Sequence, residues 1–336
     1  MDFVVLGGGG WGTAIARLLA RKGHRTRLWV RDPALAREMA EERENKKYLP
    51  GVELPENLEV FTDLTALADG HADALLFAVP SFAVREVARR LAEVLPKERR
   101  QNLVLINLAK GIERGSGKTM SAVLREELGG RGRIFTLSGP SHAEEVGRDF
   151  PTTVVIAGED LALGKRLQEA LMTERFRVYL SDDLLGVEYG AAVKNIIALA
   201  AGISDGLGYG DNAKGALIAR GLAEMVRLAT RLGARKETLF GLSGLGDLVT
   251  TCTSKHSRNR QLGHRLGRGE SLEEIMRDME MVAEGVYAAE AVRRLAQEKG
   301  VEMPITVAVY EILYEGAKPL DKLDELMTRE PKMERL

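Results

Sequence analysis

The sequence predicts an α/β protein in two parts, a parallel-sheet domain over residues 1–181 followed by an all-α domain over residues 182–336. Three observations predict it. Up to about residue 180, short apolar runs of buried-strand type alternate with amphipathic helical stretches. Past Asp182 the strand pattern vanishes and helical periodicity takes over. A length of 336 residues also suffices for two separate cores.

The first element is the most informative. Phe3-Val4-Val5-Leu6 runs straight into Gly7-Gly8-Gly9-Gly10-Trp11-Gly12 and on into Thr13-Ala14-Ile15-Ala16: a strand, a glycine turn and a helix. Gly7, Gly9 and Gly12 fall on the dinucleotide-binding spacing of a Rossmann-like fold. The first allows a tight turn, the second a close backbone approach to pyrophosphate, and the third close packing of helix on strand. Unpaired N–H groups and the helix dipole then favour a phosphate at the helix start. A glycine turn without a ligand is the plainer alternative.

A second strand follows at 25–30 and a helix at 33–44. Further strands are expected at 74–79, 103–108, 133–137 and 153–157, with helices at 84–95 and 119–128. Strands each followed by a crossover imply a parallel sheet with helices on both faces. The helical half reads as 184–203, 213–232, 272–279, 287–299 and 305–314, and the charged tail after Pro319 as a solvated helix.

Bulk properties exclude several function classes. A net charge of -1 and a pI near 6.6 argue against a nucleic-acid partner, which calls for a basic face. The single cysteine, Cys252, excludes an internal disulfide and fits a reducing cytosol, so a cytoplasmic location is expected. The five histidines lie far apart in sequence and predict no metal site. The N-terminus lacks a signal-peptide pattern. Residues 191–203 are apolar but include Lys194 and are too short to cross a bilayer, so no membrane span is expected.

Ligands of an open parallel sheet bind beyond the carboxyl ends of its strands. There the second strand meets Arg31-Asp32-Pro33. An acidic residue at this point binds an adenine ribose, and an arginine accommodates a 2′-phosphate. Asp32 also suits a helix N-cap ahead of Pro33. Arg31 therefore favours NADP and leaves NAD open. Lys110 ends another strand beside Gly111 and is aimed at a ligand there, or is a surface lysine. Ser138-Gly139-Pro140-Ser141 offers a hydroxyl and backbone N–H groups to a phosphate or carbonyl, and reads equally as a plain turn.

In the helical half, Gly190, Lys194 and Ala198 share one apolar helix face. Burial there lowers a lysine pKa toward neutrality and suits it to proton transfer. The alternative is an ammonium that reaches back to solvent. Asn195 lies about 100° round the helix and need not share the role of Lys194. The stretch from Gly244 to Thr251 is glycine-rich and ends in hydroxyls. Ser257-Arg258-Asn259-Arg260 sets guanidinium groups beside a hydroxyl and an amide, which suits phosphate oxygens or a solvated charge run.

Taken in order, these stretches resemble the NAD(P)-dependent glycerol-3-phosphate dehydrogenases of the bacterial type. Leu108-Ala109-Lys110-Gly111-Ile112-Glu113, Ala192-Val193-Lys194-Asn195, Arg220-Gly221-Leu222 and Ser257-Arg258-Asn259 carry the likeness with the glycine loop, 138–141, 202–212 and 245–251. It extends from residue 1 to about 290. The resemblance implies interconversion of dihydroxyacetone phosphate and sn-glycerol 3-phosphate with NADP or NAD, a role in glycerophospholipid synthesis, and a homodimer. It implies that Lys194 is the proton donor and acceptor at the C2 oxygen. Lys110 would contact substrate and cofactor, with Asp247 and Thr251 holding lysine and substrate. Gly139, Ser141, Ser257, Arg258 and Asn259 match substrate-binding positions. Trp11, Arg31, Ala143, Arg258, Val282 and Glu284 match cofactor contacts, joining Gly7, Gly9, Gly10, Gly12, Asp32 and Lys110.

Three positions depart from the family pattern. Gly10 stands where serine is frequent, His142 where phenylalanine is common, and Ala219 where threonine often precedes Arg-Gly-Leu. Competing readings are a related 3-hydroxyacid or 6-phosphogluconate dehydrogenase, and a dinucleotide sensor without catalysis. The Lys110 loop and Ser257-Arg258-Asn259 favour the glycerol phosphate reading. Retention of both Lys194 and Asp247 weighs against the sensor.

Overall fold

The computed structural model describes residues 1–68, 71–129, 133–279, 283–331 and 333–334. They form two compact units, residues 1–109 with 120–184, and residues 110–119 with 185–336. The division thus falls at 184/185 rather than 181/182, and the segment after Ala109 joins the helical unit. Ile112 buries in the helical core, and Lys110 and Arg114 pair with Asp247 and Glu290 of that unit.

The first unit opens β1 (Asp2–Leu6), α1 (Gly10–Arg21), β2 (Arg25–Trp29) and α2 (Pro33–Glu42). A short hairpin, β3 (Glu44–Asn45) with β4 (Leu49–Glu53), precedes β5 (Leu58–Phe61) and β6 (Ala74–Phe77). Then come α3 (Ser81–Val94), α4 (Lys97–Asn102), β7 (Val104–Asn107), α5 (Met120–Leu128) and β8 (Ile134–Ser138). The unit ends with α6 (Ala143–Gly147), β9 (Thr152–Gly158), α7 (Leu161–Leu171) and β10 (Phe176–Ser181).

Eight strands form one sheet in the order β10-β9-β8-β7-β6-β1-β2-β5. Both faces are covered. Phe3 and Val5 of β1 bury in one cluster, Val4 and Leu6 in the other, so the strand is apolar at every position from Phe3 to Leu6. The sheet is parallel except at one pairing, where β9 runs antiparallel to β8. Residues 139–151 hold only the single-turn α6 and never cross back over the sheet, whereas a parallel return needs a longer crossover. That link therefore stays at the carboxyl edge of β8. The helix expected over 33–44 ends at Glu42, because Arg43 turns left-handed (φ 53°) and its guanidinium binds the carbonyls of Leu54, Pro55 and Leu58.

The second unit is helical: α8 (Leu184–Gly206), α9 (Asp211–Arg231), α10 (Lys236–Leu239), a π-turn at Leu242–Gly246, α11 (Asp247–Thr253), α12 (Arg258–Gly267), α13 (Leu272–Asp278), α14 (Glu284–Lys299), α15 (Pro304–Tyr314) and α16 (Pro319–Met327). At 23 residues, α8 is longer than the 191–203 segment read from sequence, and long and apolar enough to cross a bilayer. Burial identifies it instead as a core helix, since 94% of its most apolar 18-residue window is buried within the protein.

Glycines set how closely α12 approaches α8. Gly202 and Gly206 face α12, and Gly263 and Gly267 face α8. A Cβ at Gly202 would strike the Arg260 carbonyl, at Gly206 that of His264, at Gly263 that of Leu199 and at Gly267 that of Ile203. Two i,i+4 glycine pairs thus lay backbone directly on backbone, and this contact orients the first turn of α12.

Candidate active site

The glycine loop of the first unit has the shape a dinucleotide requires. Gly7 has φ +127°, and a Cβ there would lie 2.6 Å from the Ala78 carbonyl oxygen. A Cβ on Gly12 would strike the Gly7 carbonyl, while Gly9 has nothing within 4 Å of where its Cβ would be. The loop is therefore closed on its packing side and bare at Gly9, the N-cap of α1, which makes no side-chain cap bond. Asn45 locks it from behind: its buried Nδ2 donates to Gly8 O and to Thr13 Oγ1, both at 2.8 Å. The indole Nε1 of Trp11, in the first turn of α1, is buried without a hydrogen-bond partner among the described residues. An anion-binding helix start, an open glycine and an orphaned donor together fit a dinucleotide pyrophosphate.

Gly10 gains a physical account. A Cβ there would lie 2.7 Å from the Tyr48 carbonyl oxygen, so the serine common in the family meets backbone at this position. Asp32 accepts from Ala34 N at 2.9 Å and caps α2. Arg31, exposed just past β2, makes no hydrogen bond or ion pair among the described residues. Gly139 adopts φ +135°, where a Cβ would lie 3.0 Å from Val154 Cα, and Ser141 Oγ donates to Gly139 O at 2.8 Å. The tight-turn reading of 138–141 accounts for both contacts. Ala143 opens α6 beside Gly10.

Within the second unit the chemistry gathers on Asp247. Lys194, on α8, holds its Nζ 2.9 Å from Asp247 Oδ1 and donates to Thr251 Oγ1 at 2.7 Å. Lys110 donates to Asp247 Oδ2 at 2.8 Å. Thr251 Oγ1 lies 2.6 Å from the Asp247 carbonyl oxygen, one turn back in α11. Gly244 and Gly190 permit the approach, since a Cβ on Gly190 would lie 2.8 Å from the Ser243 carbonyl oxygen. Lys194 is 4% exposed, so its ammonium does not reach solvent.

Burial brings the Lys194 pKa down to about 8; the Asp247 carboxylate opposes that shift and the Lys110 charge assists it. Burial pushes the Asp247 pKa upward, but Lys110 and Lys194 outweigh it and hold the carboxyl below its usual range. The result is a fixed carboxylate carrying two cations, one of them poised to exchange a proton near neutral pH. Cys252, one turn from Asp247 and Leu248 on the same helix, is pushed up to about 12 by burial and is an inert thiol.

Ser257, Arg258 and Asn259 begin α12. Ser257 Oγ caps the helix through Arg260 N at 3.2 Å, and Arg258 is exposed at the first helical position. Arg260 turns away to Asp205 Oδ2 at 2.7 Å, while Lys214 pairs with Asp205 Oδ1 at 2.9 Å. Asn259 is buried and hydrogen-bonded to protein groups: its Nδ2 donates to Asn195 Oδ1 at 3.0 Å and its Oδ1 accepts from Gly285 N at 2.8 Å. Asn195 in turn donates to the Lys110 carbonyl at 2.9 Å. Glu284 starts α14, and Val282 lies outside the described residues.

Sequence reasoning missed Asn45 and Asn195. Asn45 sits in no recognisable spacing, and the signal for Asn195 was its place beside Lys194 in the stretch Ala192-Val193-Lys194-Asn195.

Comparison with known proteins identifies relatives along the whole length of the chain. Models of the NAD-dependent glycerol-3-phosphate dehydrogenase N-terminus and C-terminus match residues 2–163 and 183–324. A glycerol-3-phosphate dehydrogenase [NAD(P)+] of Chlorobium luteolum is 53% identical over 338 residues, covering 100% of both chains. One of Geobacillus thermodenitrificans is 49% identical over 335 residues, covering 99% of this chain and 96% of that one. The crystal structure of glycerol-3-phosphate dehydrogenase from Coxiella burnetii is 42% identical, with a TM-score of 0.91 over 98% of this chain and 99% of that one.

Proposed function

The chain belongs to the NAD-dependent glycerol-3-phosphate dehydrogenase family, oxidoreductases that use NAD(P), and from that premise we propose that it interconverts dihydroxyacetone phosphate and sn-glycerol 3-phosphate, with Lys194 as the proton donor and acceptor at the C2 oxygen. One observation carries the reading: a single carboxylate, Asp247, bridges the ammonium groups of Lys194 and Lys110 at 2.9 and 2.8 Å.

Bound NAD(P)H supplies the hydride that reduces C2, and the protein manages charge and protons. Gly7, Gly9, Gly10, Trp11 and Gly12 would hold the pyrophosphate end. Arg31, Asp32, Ala143, Val282 and Glu284 would make the remaining cofactor contacts. Charge develops on the C2 oxygen as the carbonyl is reduced. Lys110 and Lys194 stabilise it, and Lys194 delivers the proton that makes the alcohol. In the reverse direction neutral Lys194 accepts that proton. Asp247 and Thr251 keep Nζ aimed throughout. Arg258, at the N-terminus of α12, takes the phosphate, with Ser257, Asn259, Gly139 and Ser141 completing the substrate contacts. The sheet unit would hold the cofactor, and the helical unit, Lys110 included, most of the substrate contacts. Family resemblance further supports a cytoplasmic homodimer whose product enters glycerophospholipid synthesis.

NADPH oxidation by the purified protein tests this directly. Turnover is expected with dihydroxyacetone phosphate, and none with 3-oxoacids or, in the oxidative direction, with 6-phosphogluconate. Preference for either competitor would replace the reading, and NADPH binding without turnover of any substrate would make the protein a sensor.

A further inference from the structure

Lys110 leaves a loop rather than a helix, yet its ammonium sits on Asp247 as closely as that of Lys194. Its backbone is held by a line of amides. Gly285 N donates to Asn259 Oδ1 at 2.8 Å, Asn259 Nδ2 to Asn195 Oδ1 at 3.0 Å, and Asn195 Nδ2 to the Lys110 carbonyl at 2.9 Å. Asn195 and Asn259 are 4% and 7% exposed, so each amide would be costly to bury unless paired in this way. The second Asn195 donor goes to Ala191 O at 3.2 Å within α8. Gly285 also lacks room for a side chain: a Cβ would lie 2.6 Å from Asn195 O and 2.9 Å from Asn259 Oδ1. Only glycine brings the first turn of α14 close enough to donate.

We propose that Asn195, Asn259 and Gly285 form a positioning relay that fixes the Lys110 loop, so that consecutive residues of α8 set both ammonium groups around Asp247. Lys194 acts from one helix face directly, and Asn195, about 100° round, acts through the Lys110 backbone. Asn259 thereby serves as the middle of the relay. The proposal rests on the reading of Lys110 as a group that stabilises the reacting oxygen. It adds that α14, whose first residue is the cofactor candidate Glu284, is tied to that lysine by three hydrogen bonds.

A double-mutant cycle tests it, using kcat for dihydroxyacetone phosphate reduction. Asn195→Ala is expected to lower kcat about tenfold and Lys110→Ala about 100-fold. In the Lys110→Ala background, Asn195→Ala should change kcat by less than about twofold. The same cycle with Gly285→Ala serves if Asn195→Ala does not fold. The alkaline limb of the pH profile should also move upward in Asn195→Ala, as is expected when the Lys110 charge is removed. Equal losses in both backgrounds, or an unmoved limb, would overturn the relay and leave Asn195 a purely structural amide. A wild-type protein that does not turn over this substrate would instead overturn the functional reading, before any cycle is begun.

Discussion

Lys194 titrates where the reaction needs it to. Reduction uses the ammonium as acid, so kcat/KM for dihydroxyacetone phosphate should fall as pH rises through about 8, and the oxidative direction should gain over the same range. Removing Lys110 takes away a charge that lowers the Lys194 pKa, so Lys110→Met should move that limb upward. Lys194→Ala should lose about 10²-fold or more in kcat while NADPH affinity is retained. Turnover within a fewfold of wild type would dismiss Lys194 as the acid. Arg31, unpaired just past β2, gives a second residue-level expectation: Arg31→Ala should weaken NADPH more than NADH, measured as separate Kd values. Lys194 was legible in the sequence because a lone lysine on an apolar helix face already implies desolvation. Asn195 and Asn45 were not, because an amide has no periodicity and its role exists only once a distant carbonyl or glycine loop is folded against it.

At the scale of elements, the glycine pairs on α8 and α12 do what no charged residue in the site does, which is to aim the N-terminus of α12. Gly263→Ala would drive a methyl group into the Leu199 carbonyl and force the helices apart, at a cost of about 1–3 kcal/mol. Arg258 would shift with α12, so KM for the phosphate substrate should rise, as it should by tenfold or more in Arg258→Ala. The Kd for NADPH should hold closer to its wild-type value. A loss of melting temperature with an unchanged KM would separate the helix contact from phosphate binding. Gly202, Gly206, Gly263 and Gly267 are visible as i,i+4 pairs in the sequence, but nothing in a single chain says which two helices meet. The reversal of β9 was hidden for a related reason. Its apolar pattern suits either direction, and only the short link through α6 decides.

For the molecule as a whole, the two-part organisation was legible because strand and helix periodicities separate cleanly near residue 182. The return of residues 110–119 to the helical unit was not, since it rests on long-range contacts of Lys110, Ile112 and Arg114 with helices far along the chain. Global stability carries its own signature in Glu224, buried on α9 against the start of α15. Its Oε1 accepts from Ile305 N at 2.6 Å, and its Oε2 from Thr306 N at 3.1 Å and Thr306 Oγ1 at 2.9 Å. Burial pushes its pKa up to about 7, against those hydrogen bonds and the nearby Arg227 charge. Between pH 4.5 and 7 the folded chain therefore binds more protons at this site than the unfolded chain. Stability from Glu224 is full below that window and is lost as pH rises through it, by on the order of 3 kcal/mol at most. Asp247 contributes with the opposite sign on the acid side of this range, and Lys194 with the opposite sign above about 8. His24, whose pKa burial also lowers, is common to wild type and variant. Urea unfolding of wild type and Glu224→Gln at pH 5 and pH 7.5 isolates the effect: the wild-type midpoint should fall more steeply across the interval than that of the variant. Parallel slopes in the two proteins would mean that Glu224 stays ionised in its pocket and that the contact with α15 is a plain helix cap.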